Sequence, residues 1–90
     1  MKWNFDGKVA VVTGASRGIG EATARQLDEG GANLVLVSRS TDKLKGIAAE
    51  LQNDSLVVDC DLSADPSIDM IRDRTMEKFK KIDILVNNAA

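Results

Sequence analysis

The sequence predicts an α/β protein in which helices cover both faces of a parallel β-sheet. Three observations support this fold class. Short apolar runs alternate with helix-patterned segments along the 90 residues, the runs themselves do not alternate apolar with polar positions, and a glycine-rich turn follows the first run. Continuous apolar runs are typical of strands that are buried on both faces, as in parallel sheets.

Composition sets the limits of this prediction. Hydrophobic residues make up 43% and charged residues 29% of the chain, which is typical of one globular domain. The net charge of −2 offers no basic field for nucleic acid. No apolar run approaches the ~18–20 residues that span a bilayer, and no signal peptide opens the chain. With a single cysteine, Cys60, these features predict a cytoplasmic protein without a nucleic-acid or membrane partner.

The four apolar runs are the predicted strands. They occupy residues 8–13, 33–38, 56–59 and 82–86, and all are rich in Val, Leu and Ile. Short runs of this kind could equally be buried helix segments. The segments between the runs therefore have to show whether the runs are strands or helices.

The first intervening segment has helical periodicity, and Gly30-Gly31 ends it. The second begins at an N-cap, Ser40 or Thr41. The third begins with Asp65 as N-cap and Pro66 at the first helical position. The apolar stripes predict these buried positions: Ile19, Ala22/Thr23, Gln26/Leu27 and Gly30 in the first helix; Leu44, Ile47/Ala48 and Leu51 in the second; Ile68, Ile71/Arg72, Thr75 and Phe79 in the third.

The order is thus β-α-β-α-β-α-β, with three right-handed crossovers. This is the N-terminal half of a doubly wound parallel-sheet Rossmann fold, with expected strand order 3-2-1-4. A complete fold of this type continues beyond the fourth strand. We therefore expect residues 1–90 to form one incomplete dinucleotide-binding domain, truncated after that strand, which remains as an apolar edge.

The glycine-rich turn lies where the first strand becomes the first helix. Residues 13–20 read TGASRGIG, with the spacing G-x-x-x-G-x-G. Gly14 permits the tight turn, Gly18 lets the backbone approach a pyrophosphate, and Gly20 lets the helix lie close to the sheet. The helix N-terminus then faces the phosphates with its N–H groups. The alternative interpretation is a plain strand-to-helix loop.

At this point the sequence resembles the classical short-chain dehydrogenase/reductases, including 3-oxoacyl carrier-protein reductases and small carbonyl reductases. TGASRGIG matches the family's cofactor signature, and the match continues through DCDL at 59–62 and DILVNNA at 83–89. The family's N-N-A-G segment ends here in Ala90 instead of glycine. The resemblance covers essentially the whole chain.

The residues after the second strand bear on the choice of cofactor. An NAD site places an acid there, whereas this chain has Ser38-Arg39-Ser40. An arginine fork binds a 2′-phosphate, and Arg17 supplies a second positive charge. We therefore expect NADP(H) in preference to NAD(H), although Arg39 could also be a solvated loop cation.

The resemblance implies further cofactor contacts. In the family, the residue matching Asp61 accepts from the adenine amino group, Leu62 adds a backbone contact, and the residues after Asn87 line the ribose. Asp61 could instead cap a turn. The full set of predicted cofactor-binding residues is Gly14, Ser16, Arg17, Gly18, Ile19, Gly20, Ser38, Arg39, Ser40, Asp61, Leu62, Asn88 and Ala89.

The resemblance also implies the reaction, in which a hydride moves between the nicotinamide and a carbonyl or alcohol substrate. The family's catalytic serine and Y-x-x-x-K segment lie beyond the fourth strand. This chain contains no tyrosine and no histidine, so we assign it no catalytic residue and no metal site. We expect the 90 residues alone to be inactive, and the parent protein to be a homotetramer.

Two other functions stay open. The chain could be a non-enzymatic nucleotide-binding half domain, natural or engineered. It could also be a methyltransferase-type Rossmann domain, although such domains generally place an acid where Ser38-Arg39 stands.

Overall fold

The structure is a computed structural model that describes residues 4–61 and 67–88. Strands and helices alternate along this part of the chain. In order they are β1 Val9–Thr13, α1 Gly18–Glu29, β2 Asn33–Ser38, α2 Thr41–Glu50, β3 Ser55–Asp59, α3 Ser67–Phe79 and β4 Ile84–Asn87. None of the helices in these two ranges is long and apolar enough to cross a membrane.

All strand pairs of the sheet are parallel, and the strand order is β3-β2-β1-β4. β1 is therefore central and pairs with β2 on one side and β4 on the other. Val11 is opposite Val35 of β2 and Leu85 of β4. The fold class and the strand order predicted from the sequence are confirmed.

The helices divide between the two faces of the sheet. On one face, Ala10 and Val12 of β1 pack with α1 and α2 in a cluster that includes Leu27 and Leu44. On the other face, Val9 and Val11 belong to a cluster that includes Ile71 of α3. Every residue of β1 is buried. The lack of apolar/polar alternation in the sequence follows from this coverage, because successive side chains point to opposite faces.

The predicted phase of α1 is wrong by about one residue. Leu27 is buried as predicted, but the other buried residues are Gly20, Ala24 and Asp28, and Ile19 is 76% exposed. The cause is Gly20, which packs so closely on the carbonyl of Gly14 that a Cβ there would overlap it. This contact fixes the rotation of the helix. α1 ends before Gly30-Gly31 as predicted, and Gly31 has φ +105°.

The second helix follows its prediction. Leu44 and Ile47 are buried, Ala48 and Leu51 are partly buried against them, and Ser40 occupies the N-cap position, although its side chain makes no capping hydrogen bond.

The predicted buried positions of α3 are confirmed in part. Ile71 and Thr75 are buried and Phe79 is half-buried, but Ile68 is 71% exposed and Arg72 is exposed. Ile68 precedes the point where α3 joins the core cluster and lies on the wall of a cleft. The N-cap predicted at Asp65-Pro66 lies outside the described residues.

β4 begins later than the predicted run at 82–86 and is covered on one face only. Ile84 and Val86 pack against the cluster under α1 and α2, whereas Leu85 is 67% exposed on the opposite face. α3 packs near β3, at the other end of the sheet. Within the described residues β4 therefore lacks the double coverage expected of every strand.

Hydrogen bonds of Asp83 link the beginning of β4 to the beginning of β1. Its carboxylate accepts from the Val9 N–H at 2.8 Å, and its own N–H donates to the Val9 carbonyl at 2.9 Å. Lys81 Nζ lies 3.1 Å from the same carboxylate. The Val9 hydrogen bond, and after it the Lys81 contact, lower the pKa of Asp83 below its ordinary value of 3.8.

We expect Asp83 to make the fold sensitive to acid. A group whose pKa is lowered by folding contributes stability above its unfolded pKa and loses it as the pH falls through the folded value. Asp83→Asn should therefore lower the free energy of unfolding at about pH 7 and reduce the further loss below pH 3.8. Urea unfolding at about pH 7 and about pH 3 measures both effects.

The matched control is Asp59→Asn, since the Asp59 side chain is exposed at the end of β3 and its carboxylate has no hydrogen bond or ion pair within the two described ranges. An unchanged acid response in the Asp83 variant would contradict the assignment.

Candidate cofactor-binding site

A cleft of about 1320 Å³ lies at the carboxyl ends of the strands. It opens beside β1, whose two neighbours in the sheet come from different parts of the chain. Open α/β sheets bind their ligands at this kind of switch point. Most of the predicted site residues line the cleft: Gly14, Ser16, Arg17, Gly18, Ile19, Ser38, Arg39, Ser40, Asp61 and Asn88. Leu62 and Ala89 lie outside the described residues.

The turn at the head of the cleft takes its shape from two glycines. Gly14 has φ +63° and Gly18 φ +59°, the left-handed region that side chains disfavour. Between them Arg17 is the N-cap of α1, and it makes no side-chain capping bond. The first bond of the helix runs from the Glu21 N–H to the Arg17 carbonyl. The N–H groups before Glu21 thus lack intrahelical acceptors, as at any helix start, and they are available to an anion.

Gly20 does not line the cleft but brings α1 against its floor. A Cβ at this position would overlap the Gly14 carbonyl and lie 2.7 Å from Asn88 Nδ2. Asn88 Nδ2 itself donates to the Gly14 carbonyl at 3.4 Å. The turn, the helix and the end of β4 therefore meet at a single backbone carbonyl.

Three serines join the loops after β1 and β2. The Ser38 hydroxyl donates to Ser16 Oγ at 3.1 Å and accepts from the Ser40 N–H at 3.0 Å. The Ala15 N–H also donates to the Val37 carbonyl at 3.2 Å. The phosphate-facing turn and the segment that carries Arg39 are consequently held in a fixed relation.

Thr13 lines the cleft and is absent from the set of residues predicted from the sequence. Its hydroxyl accepts from the Asn88 N–H at 2.9 Å and lies 3.3 Å from both the Val86 carbonyl and Asn87 Oδ1, to which it can donate. It therefore fixes the end of β4 to the end of β1. Asn87, the last residue of β4, is thus one of the partners of Thr13 in this structure.

Positive charge dominates the described lining of the cleft. Four cations, Arg17, Arg39, Lys43 and Arg72, line it together with one carboxylate, Asp61. Lys43 is also missing from the predicted set, and the signal that could have found it is its place in the first turn of α2, three residues after Ser40. Within residues 4–61 and 67–88, no group of three or more acidic, Cys or His side chains could hold a metal ion.

The cleft has a second, apolar region. Ile19, Ile68, Ile82 and Leu85 line it and are exposed. A cationic region with open N–H groups beside an apolar region suits a ligand that combines phosphates with flat rings. The parallel sheet, its strand order and the position of this cleft define an α/β protein of the Rossmann class.

Comparison with known proteins places the chain within that class. Residues 8–90 match the short chain dehydrogenase family, and the chain belongs to it. An oxidoreductase of Staphylococcus epidermidis is 46% identical over 82 residues, which cover 91% of this chain and 36% of the relative.

Two solved structures also resemble this chain in sequence and in fold. A metagenomic short-chain oxidoreductase in complex with NADP is 40% identical with a TM-score of 0.90, and the match covers 96% of this chain and 40% of that one. A 3-ketoacyl-(acyl-carrier-protein) reductase from Brucella melitensis complexed with NADH is 36% identical with a TM-score of 0.85, over 91% of this chain and 34% of that one. The chain thus spans between about a third and two fifths of the length of these proteins.

The contact at Gly20 predicts the effect of a single methyl group. Gly20→Ala should lower the free energy of unfolding by about 1–3 kcal/mol, because neither the Gly14 carbonyl nor α1 can move without disturbing the sheet. Gly46→Ala is the matched control: Gly46 lies inside α2 with open space around its Cβ position, and alanine there should stabilise the protein by about 0.5–1 kcal/mol. Urea unfolding followed by circular dichroism measures both; equal effects would contradict the role of Gly20.

Proposed function

We propose that this chain is the NADP(H)-binding portion of a short-chain oxidoreductase that transfers hydride between the nicotinamide and a carbonyl or alcohol substrate. The observation that carries the proposal is the cationic cleft lining, in which Arg39 follows β2 where an NAD site has an acid. The relatives include one complexed with NADP and one with NADH, so they support a nicotinamide cofactor of either kind.

The residues of the cleft fit the diphosphate of such a cofactor. Gly18 lines the cleft, and a Cβ there would meet open space, so the backbone can be approached closely. The uncapped start of α1 supplies N–H donors, and Ser16, whose hydroxyl is bonded to Ser38, lines the same cleft. Gly14, Gly18, Ile19 and Ser16 would hold the diphosphate, with Gly20 positioning the helix behind them.

The 2′-phosphate would be held by Arg39, which follows β2, and by Arg17 of the glycine turn. Arg39 is 77% exposed and Arg17 is exposed, so their guanidinium groups can form charge-assisted hydrogen bonds with a phosphate. Ser38 and Ser40 flank this position, and Lys43 lies on the same wall. A carboxylate directly after β2 would repel the phosphate, and residues 38–40, Ser-Arg-Ser, carry none.

The adenosine and the nicotinamide-side ribose would lie against the ends of β3 and β4. Asp61 follows β3 and lines the cleft, so its carboxylate can accept from the adenine amino group. Asn88 follows β4 and has its N–H fixed by Thr13. The contacts predicted for Leu62 and Ala89 remain part of the proposal.

The chemistry is divided between this chain and the rest of a longer protein. When bound, the nicotinamide supplies or accepts the hydride, while the residues of this chain bind and orient the cofactor. Relatives extend well beyond the part that this chain matches. We propose that an acid/base tyrosine, the substrate pocket and the contacts of a homo-oligomer lie in that further part.

Arg39 gives the first test of the proposal. Arg39→Gln should weaken NADPH binding about tenfold, since a charge-assisted hydrogen bond is lost, and should leave NADH binding nearly unchanged. Isothermal titration calorimetry with both nucleotides measures this difference.

Arg74→Gln is the control, because Arg74 is exposed on α3 and does not line the cleft. Wild-type protein that binds neither nucleotide would contradict the proposal, and equal losses for both would contradict the preference for NADP(H).

The division of the chemistry gives a second test. The 90-residue chain should oxidise no NADPH in the presence of carbonyl compounds, since a missing general acid alone lowers a rate about 10²–10⁴-fold. The loss of NADPH absorbance over a panel of ketones and aldehydes measures this. Turnover above that of a no-protein control would contradict the assignment of catalytic residues to the further part.

A further inference from the structure

Arg39 and Asp61 lie next to each other on the lining of the cleft. Arg39 Nη1 lies 3.8 Å from Asp61 Oδ2. The two residues follow neighbouring strands, and the Cys60 N–H donates to the Ser38 carbonyl at 3.2 Å directly before them. This hydrogen bond joins the backbone directly before the two residues, so they follow adjacent strand ends.

The pair contributes little to folding, because Arg39 is 77% and Asp61 47% exposed. Because the pair lies in the cleft, it affects how Arg39 can bind a phosphate instead. Asp61 is the one carboxylate among the described lining residues, and it faces the cation that follows β2. A guanidinium drawn toward a carboxylate has fewer donors and less net field to offer a phosphate dianion.

We propose that Asp61 is a positioning residue for Arg39 and limits the preference for a 2′-phosphorylated nucleotide. It holds the guanidinium toward the end of β3, so a 2′-phosphate has to compete for it. The inference rests on the proposed cofactor site and adds to it a residue that sets the ratio of the two affinities. This role differs from an adenine contact, which both nucleotides would share.

The distinction can be measured with Asp61→Asn. The amide keeps an oxygen acceptor for an adenine amino group but removes the charge that holds Arg39. The affinity for NADPH should rise about two- to fivefold relative to that for NADH at low ionic strength, which is the range of an exposed ion pair. At about 1 M salt, where the screening length is about 3 Å, the shift should vanish.

A double-mutant cycle tests whether Asp61 acts through Arg39. In an Arg39→Gln background, Asp61→Asn should no longer change the NADPH-to-NADH ratio. Asp59→Asn is the matched control, because it removes the same charge two residues earlier, at a position that does not line the cleft. Asp61→Ala should weaken both nucleotides yet shift their ratio in the same direction as Asp61→Asn.

Each outcome of the titrations decides between the interpretations. The proposal is supported if the affinity for NADPH relative to NADH rises in Asp61→Asn and stays constant in Asp59→Asn. It further requires that Asp61→Asn no longer change this ratio in the Arg39→Gln background. An unchanged ratio, or a shift that persists without Arg39, overturns it while cofactor binding stands. A wild-type chain that binds neither nucleotide overturns the proposed function itself, together with this inference.

Discussion

The close contact of Gly20 with the Gly14 carbonyl is the constraint on which the rest of the molecule depends. It brings the first turn of α1 against the end of β1 and so fixes the helix in rotation and in height above the sheet. The rotation decides that Ala24 and Leu27 face the core and that Ile19 faces the cleft. The height decides that the uncapped N–H groups of α1 stand at the carboxyl edge of the sheet, where a phosphate can reach them.

The polar groups along this edge serve the fold and the site together. Thr13 joins β1 to the end of β4, and Ser38 joins the loops after β1 and β2. Neither contact needs a ligand. The shape of the cleft is therefore set by the strand register, in which Thr13 is opposite Val37 on one side and Asn87 on the other. A cofactor would meet loops that are already ordered, which lowers the entropic cost of binding.

Much of this architecture could be predicted from the sequence because it follows local rules. The continuous apolar runs indicated buried parallel strands, and for β2 they gave the observed limits, Asn33–Ser38. The glycine spacing predicted a turn between β1 and α1, and the structure has it. The strand order followed from the doubly wound pattern that the alternating strands and helices match.

The features that escaped prediction depend on contacts between distant residues. The phase of α1 was missed because one backbone contact at Gly20, and not the apolar stripe, determines it. Ile68 and Leu85 are apolar but exposed, since burial depends on what packs against a residue as well as on its type. The bonds of Asp83 and Thr13 have no local signal at all, because their partners lie more than 70 residues away. Lys43 was overlooked since a lysine on a helix surface is ordinary until the fold brings it to the cleft.

The central position of β1 has a consequence for how the chain reaches its native state. β1 is the earliest strand, yet one of its two partners is the last strand of the described sheet, and 74 residues separate Val9 from Asp83. On a ribosome the β4 side of β1 therefore stays without its partner until the other described strands have been made. Long-range parallel pairing of this kind is slow, and an unpaired apolar strand invites wrong partners. Nascent chains that stop short of β4 should consequently depend on chaperones far more than chains that include it.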